Sequence, residues 1–466
     1  MKRYTYEGIM TREISFPIGG IGSGSVGLAG NGHLIDWEIF NHPSKGSVNG
    51  FTHFAVKAEK NGEVLDARVL QGDEQGDFMG SFARGRVGTY GAGASREKLG
   101  GAPHFRHCTF EGKFPLAKVS LSDPMFPGKA ELTAWNPFIP LNDKDSSLPA
   151  ALFEISLENT SDSTNDYTIA FSVCNPLKLG SLVHTDESVN GIHLLHFRSD
   201  SKEREHLDFG ELCVATDAEN SGCQRYWSRT SWYDSVDVFW REFSAPGRLP
   251  ARSYAPEHEP AKAYPPDPPR CDDTGTLTAH ISLVAGEKRS VRFVLTWHFP
   301  NNSYSTLYKW INWYATVFED ASASALYIMK EWDRLKLETR MFRDALFGST
   351  LPDTLIEAVS ANLSTLKSPT VLRLEDGSFY GWEGCNCDSG SCEGTCAHVW
   401  NYAQSLPFLF PKLERSIRDL EYRYNLGEDG GMTFRMTLPP GSPRWFRPCA
   451  DGHFGGVMKV YREWKI

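Results

Sequence analysis

The sequence has no run of 18 apolar residues, and its first ten residues, MKRYTYEGIM, hold no apolar stretch of a secretory leader. Nothing is long enough to cross a bilayer as a helix, and the missing leader points to a cytoplasmic protein. It also lacks an excess of positive charge. Against 58 Asp and Glu stand 48 Lys and Arg, a formal net charge of −10, which argues against non-specific binding to nucleic acid. GxSxG, HExxH and the P-loop are absent, removing the serine-hydrolase elbow, the zincin helix and the Walker phosphate cradle. No internal repeat is visible. Cysteine is sparse: of ten, four crowd between Cys385 and Cys396. Without a leader, a disulfide framework is not expected.

What is there is a globular composition. The chain has 466 residues, 40% of them hydrophobic, enough for two or three domains and a large core. Thirteen Trp include more than sugar-stacking faces need, so most should serve the core. The stretch GGIGSGSVGLAGNGHLIDWEIFN, from Gly19 to Asn41, contains Gly22-x-Gly24-x-x-Gly27, the spacing of a dinucleotide loop. That loop must follow a buried strand and open a helix. Here Phe16-Pro17-Ile18-Gly19-Gly20 is too short and broken for a central parallel strand. Leu28-Ala29-Gly30-Asn31-Gly32 is too glycine-rich for a helix. Asn31-Gly32 predicts a type I′ hairpin instead, between Ser25-Val26-Gly27-Leu28 and the alternating run His33–Phe40.

Residues 1–320 read as short alternating strands ended by Gly, Pro, Asn, Asp or Ser: the pattern of an antiparallel β-sandwich. LFEISLENTSDSTNDYTIAFSV reads as two antiparallel strands around a polar loop. The stretches 85–103 and 246–275 read as surface loops. Trp297-His298-Phe299-Pro300 ends the last strand at the expected domain junction. From Ser305 the period turns helical, with Trp310, Trp313, Tyr314 and Phe318 close to one face. A second helix follows Pro352, and a hairpin crosses Asp376-Gly377. A third helix runs from His398, kinked at Pro407 and Pro411, and a fourth covers DGHFGGVMKVYREWKI. The predicted fold is mixed: a β-sandwich domain over 1–320, then a helical segment over 321–466.

The most informative stretch is FYGWEGCNCDSGSCEGTCAHVWNYAQSLPFLFPKLERSIRDLEY, residues 379–422. Glu383 follows Trp382 at the end of a predicted strand, and a carboxylate beside an aromatic there is a candidate catalytic group. A solvated loop glutamate is the plain alternative. Cys385-x-Cys387, Cys392 and Cys396, with His398 nearby, offer zinc ligands, but not at the spacing of paired CxxC motifs; free thiols or a local disulfide are the simpler reading. Asp36-Trp37-Glu38 could reach toward the helical domain, or simply line a surface strand. His33, His42 and His53 receive no role.

Three blocks carry a resemblance. FPIGGIGSGSVGLAGNGHLIDWEIFNHP resembles the opening of glycoside hydrolase family 116, the family of non-lysosomal glucosylceramidases and microbial β-glucosidases. EG…GTCAHVWNYAQSLPFLFPKLERS resembles the start of that family's catalytic region, and DGHFGGVMKVYREWK is similar to a later helix of it. The resemblance implies a retaining β-glycosidase with an N-terminal β-sandwich and an (α/α)6 barrel, of which 321–466 would be the beginning, apparently incomplete. It implies that Glu383 is the nucleophile and that the acid/base, an Asp in the family, lies beyond Ile466. A small-molecule glycoside is then the partner and no cofactor or metal is expected. Where many members carry an Asp after a Thr, this chain reads Thr395-Cys396-Ala397-His398, so Thr395 and His398 are expected substrate contacts. Asp451 joins them as the best in-chain carboxylate, with a helix N-cap as its ordinary role. The alternative is a non-catalytic carbohydrate-binding or scaffolding protein.

Overall fold

The computed structural model describes residues 3–75, 96–229, 234–254, 273–305, 308–443 and 446–466. The expected loops 85–103 and 246–275 therefore fall partly outside the described residues. Two antiparallel sheets dominate the first part of the chain. The larger has nine strands in the order Thr5–Glu7, His107–Lys113, Leu116–Ser122, Gly128–Trp135, Ala150–Asn159, Lys288–His298, Glu211–Thr216, Ile192–Ser199 and Leu182–Val189. The smaller has five, Ser221–Gln224, Thr274–Leu283, Asn165–Cys174, His53–Lys60 and Glu63–Val69. Their facing sides share one aromatic core. Phe54 stacks on Phe171 at 3.9 Å and meets Phe153 edge-on at 5.0 Å. Such rings supply large apolar area together with a defined geometry.

The two strands of LFEISLENTSDSTNDYTIAFSV are present, but they do not pair with each other. Ala150–Asn159 pairs with Gly128–Trp135 and Lys288–His298, while Asn165–Cys174 pairs with Thr274–Leu283 and His53–Lys60. The polar loop carries the chain from one sheet to the other. Buried side chains hold that corner: Asn159 Nδ2 donates to Ser163 O at 2.7 Å, and the Tyr167 hydroxyl donates to Pro127 O at 2.6 Å. A corner so bonded replaces the ladder a hairpin would have made.

The glycine-rich opening is a three-stranded antiparallel sheet, Ser15–Gly19, Ser25–Ala29 and Leu34–Glu38. No helix follows it, so the dinucleotide reading falls. The hairpin at Asn31-Gly32 exists, with a different turn. Only Gly32 takes positive φ, at +95°, and its N–H donates to Ala29 O at 2.9 Å. A type I′ turn needs positive φ at both central residues; a three-residue loop closed by one left-handed residue does not. Gly22 has the more demanding place. At φ +72° a Cβ there would lie 2.7 Å from the backbone nitrogen of Arg373. The expected result for Gly22→Ala is a loss of about 2 kcal/mol or more, from left-handed strain and collision with the strand Val371–Arg373; a urea midpoint within error of wild type would refute it.

Helix formation begins later than the sequence period predicts. Trp310 lies in a strand, Tyr308–Ile311, paired with Asn301–Ser305, and a short helix spans Trp313–Val317. The long helix starts at Ala321, where the Asp320 carboxylate caps the Ala323 N–H at 2.7 Å. Its 27 residues reach Phe347. Ala325, Ile328, Trp332 and Leu335 pack on the outer face of the nine-stranded sheet, with Trp332 edge-on to Trp135 at 5.4 Å. Its far end, at Phe342 and Leu346, joins a second core in which Ile21, Phe114 and Phe138 of the sandwich meet Leu363, Trp400, Phe410 and Ile417. The expected third helix is three: Ala397–Trp400, Leu406–Leu409 and Pro411–Leu420. Pro407 and Pro411 each stand at the first turn of a new helix, where a missing N–H costs nothing, rather than kinking one helix. The helix after Pro352, Asp353–Leu363, and the last one, Ala450–Lys465, are as expected.

Candidate active site

Val371–Arg373 and Phe379–Gly381 form the hairpin expected across Asp376-Gly377. Glu383 follows the second strand. Its N–H lies within reach of Ser391 O at 3.0 Å and Cys392 O at 3.1 Å, because Gly384–Cys385 folds back on Gly390–Ser391. Trp382 packs flat over Gly390, where an added Cβ would sit 2.1 Å from the indole. The carbonyl of Trp382 accepts the Trp400 indole N–H at 3.0 Å. The residue beside the carboxylate is therefore fixed by ring packing and a hydrogen bond, not left on a loose loop.

The cation opposite Glu383 is Arg435, which the sequence reading did not single out. Its Nη2 donates to Glu383 Oε1 at 3.0 Å, and the two side chains are 18% and 26% exposed. Backbone bonds deliver it. Ala397 N–H donates to Phe434 O at 2.8 Å and Met436 N–H donates to Gly394 O at 2.9 Å, so 434–436 runs alongside 394–397. The Arg435 guanidinium also lies over the Phe434 and Phe446 rings, 5.3 Å from each centroid. Burial tends to raise the Glu383 pKa. Hydrogen bonding with the Cys396 thiol, Arg435 and the Cys392 thiol, with the charge of Arg435, outweighs burial and holds the carboxyl below its ordinary value. Burial and then the bond to Glu383 push Cys396 up to about 11, so it stays a protonated donor. The site thus holds an ionised, partly exposed carboxylate beside aromatic rings, a group able to act as a nucleophile.

The other expected residues fall in two places. Thr395 is buried with φ +49°; its hydroxyl oxygen accepts the Gly381 N–H at 3.2 Å and its own N–H donates to Gly381 O at 2.9 Å. It ties the loop to the strand that precedes Glu383. His398 and Asp451 come together across 53 residues, Nδ1 to Oδ2 at 2.7 Å, with 40% and 48% of their side chains exposed. Asp451 is not the N-cap; Cys449 is, and Asp451 sits in the first turn. The bond from His398 holds its carboxyl below the ordinary value. The loop cysteines divide as well. Cys385 is within 3.5 Å of the Thr370 hydroxyl, while Cys387 is exposed and its carbonyl accepts the Lys45 N–H at 2.8 Å. That last bond joins the glycine-rich sheet to the site hairpin. Glu38, 2% exposed and 2.9 Å from Lys45 Nζ, lies beneath it, so of Asp36-Trp37-Glu38 the glutamate reaches the junction while Trp37 packs in the sandwich core. Trp297 and Phe299, expected at the domain junction, are buried in the sandwich core instead, the Trp297 indole donating to Ser23 O at 2.6 Å.

The family model described as beta-glucosidase 2, glycosyl-hydrolase family 116 N-term, matches residues 15–335. No curated protein sequence matches the chain. A solved structure described as a kojibiose phosphorylase from the human microbiome is similar over 99% of this chain and 56% of its own, with TM-score 0.40 and 9% identity. A solved polysaccharide lyase is similar over 61% of this chain and 32% of its own, with TM-score 0.24 and 8% identity. The chain thus spans little more than half the length of the first of these. Among the described residues, no helix is long and apolar enough to cross a membrane.

Proposed function

From the premise that this chain belongs to glycosyl-hydrolase family 116, we propose that it is a retaining β-glycosidase acting on β-glucosides, glucosylceramide among the candidate substrates, with Glu383 as nucleophile. The observation that carries the reading is the Glu383–Arg435 pair: an ionised carboxylate at a strand end, backed by a cation and two thiols, and still open to solvent. A retaining site needs a second carboxyl about 5–5.5 Å from the first; no carboxyl within residues 1–466 is assigned that task. Residues 321–466 are read as the opening helices of an (α/α)6 barrel that holds the glycone, following a sandwich domain over 1–320. The exposed stripe Phe454, Met458, Tyr461 and Trp464 on the last helix supports that reading, since an apolar helix face requires another surface to cover it.

A 2-deoxy-2-fluoro-glucoside with an activated leaving group tests the assignment, because departure then needs little protonation. Intact mass of the full-length enzyme should show one sugar adduct, mapping to Glu383 and absent in Glu383→Gln. An adduct on another carboxylate sinks the nucleophile assignment. Glucoside binding with no adduct favours the non-catalytic carbohydrate-binding reading.

Arg435 sets the pH range. Glu383 titrates below its ordinary value in the folded protein. Its ionised pair therefore contributes stability above the unfolded carboxylate pKa, and that contribution is lost as pH falls through the folded value. The acid limb of kcat/KM follows the same group. In Arg435→Gln it should move up by roughly 1–2 pH units, the size of one close opposite charge. An unmoved limb would show that Arg435 does not tune the nucleophile.

A further inference from the structure

We infer that His398, Cys449 and Asp451 form a zinc site, distinct from the cysteine cluster of the 385–396 loop. One ligand atom from each lies within 4.8 Å of the other two. They come from two elements. His398 is in the helix Ala397–Trp400, Cys449 caps the helix Ala450–Lys465, and Asp451 is in that helix's first turn. The four thiols between Cys385 and Cys396 make no such group among the described residues.

The packing brings the donors together. Gly452 faces the cluster with no side chain; a Cβ there would lie 2.6 Å from the Cys449 sulfur and 3.1 Å from the Ala397 Cβ. Asn401 Nδ2 donates to Gly452 O at 3.2 Å and so pins the first turn of the last helix to the His398 segment. The Phe434 ring meets the His398 imidazole at 4.7 Å and limits its rotation. The ligand atoms are thus held by backbone contacts and ring packing outside the cluster itself.

The donor set selects the ion. A thiolate, an imidazole and a carboxylate suit Zn²⁺, not Ca²⁺ or Mg²⁺, which take oxygen ligands. Binding displaces the thiol proton to solvent, so Zn²⁺, one thiolate and one carboxylate make a neutral centre. That neutrality matters because the positive end of the helix dipole opposes a bare cation at this position. Tetrahedral nitrogen and oxygen ligands sit about 3.3 Å apart at ordinary zinc bond lengths. The His398–Asp451 contact, now 2.7 Å, must therefore open by rotation of the Asp451 side chain, which is exposed enough to allow it. Three protein ligands leave the fourth position to water. The centre lies beside the nucleophile's support, since Phe434 precedes Arg435.

Cobalt is the probe that tests this. The purified full chain, reduced and stripped with EDTA, is titrated with Co²⁺, and the thiolate-to-cobalt charge-transfer absorption is followed. One equivalent should bind, and Zn²⁺ should displace it. Cys449→Ser and His398→Ala should each weaken binding by about 100-fold or more, beyond the range of outer-shell changes, and Asp451→Asn should weaken it too. Cys387→Ser, which removes the exposed thiol of the other cluster, should bind like wild type. Serine is a good helix cap, so Cys449→Ser should keep its far-UV circular dichroism. No stoichiometric absorption overturns the site. So does absorption that survives Cys449→Ser or disappears in Cys387→Ser.

Discussion

Glu383→Gly should hydrolyse activated β-glucosides on the order of 10⁴-fold more slowly than wild type, the scale on which removal of a covalent nucleophile registers. Azide should restore turnover, and the product should be the α-glucosyl azide. The stereochemistry makes the test specific. Without the carboxylate, a small anion can enter the space it leaves and attack from the same face, giving a single displacement with inversion. Rescue of an acid/base variant would instead yield the β-azide, because the first displacement would still form on the enzyme. The space is defined in the structure: Trp382 is fixed by Gly390 and Trp400, and the Arg435 guanidinium remains to hold an anion. Arg435 should therefore matter in the rescue as well, and Glu383→Gly with Arg435→Gln should need more azide for the same rate. A β-azide, or wild-type turnover in Glu383→Gly, would remove Glu383 from the nucleophile's role.

Glu383 stands out as a candidate in the sequence because its signals are local: a strand pattern, an aromatic neighbour and a family motif within 379–422. Arg435 does not. It reaches Glu383 across 52 residues, and FRM has no periodicity that marks it; only the backbone bonds between 434–436 and 394–397 bring it in. The same distinction runs through the fold. The hairpins at Asn31-Gly32 and Asp376-Gly377 announce themselves through turn residues. The separation of Ala150–Asn159 from Asn165–Cys174 does not, since alternation reports which face is buried and not which strand is the neighbour. Trp310 misled because its spacing to Trp313 and Tyr314 fits a helix; its burial comes from a strand that packs with Leu374, Tyr380 and Met436. Pro407 and Pro411 sat in an apolar run that reads as one helix until the new starts are seen. His398 and Asp451 were each identified alone, and their meeting depends on how two helices pack.

Lys367→Met should cost on the order of 3 kcal/mol, the scale of leaving buried acceptors without their charged donor. Lys367 is 1% exposed. Its ammonium donates to Asn136 Oδ1 at 2.6 Å, Pro137 O at 2.6 Å and Ser146 O at 2.9 Å. Burial pulls its pKa well down, yet three acceptors match three N–H donors, and only the ammonium supplies all three. Methionine fills the stem and leaves those oxygens buried without partners, so the loss is electrostatic rather than one of volume. The location turns this into a prediction about the whole chain. The acceptors belong to the sandwich and the lysine to the segment that leads into the Glu383 hairpin. A second tie crosses the same junction: Arg373, 3% exposed, donates to Asp143 at 2.9 Å and stacks 3.6 Å from the Trp313 ring. With both in place the two parts should melt as one cooperative unit. With Lys367 replaced, calorimetry should resolve two transitions, and protease should cut between sandwich and helices before either is degraded. A single transition within about 1 °C of wild type, far less than a 3 kcal/mol loss should produce, would show that the apolar core of Ile21, Phe138, Leu363 and Phe410 holds the junction unaided.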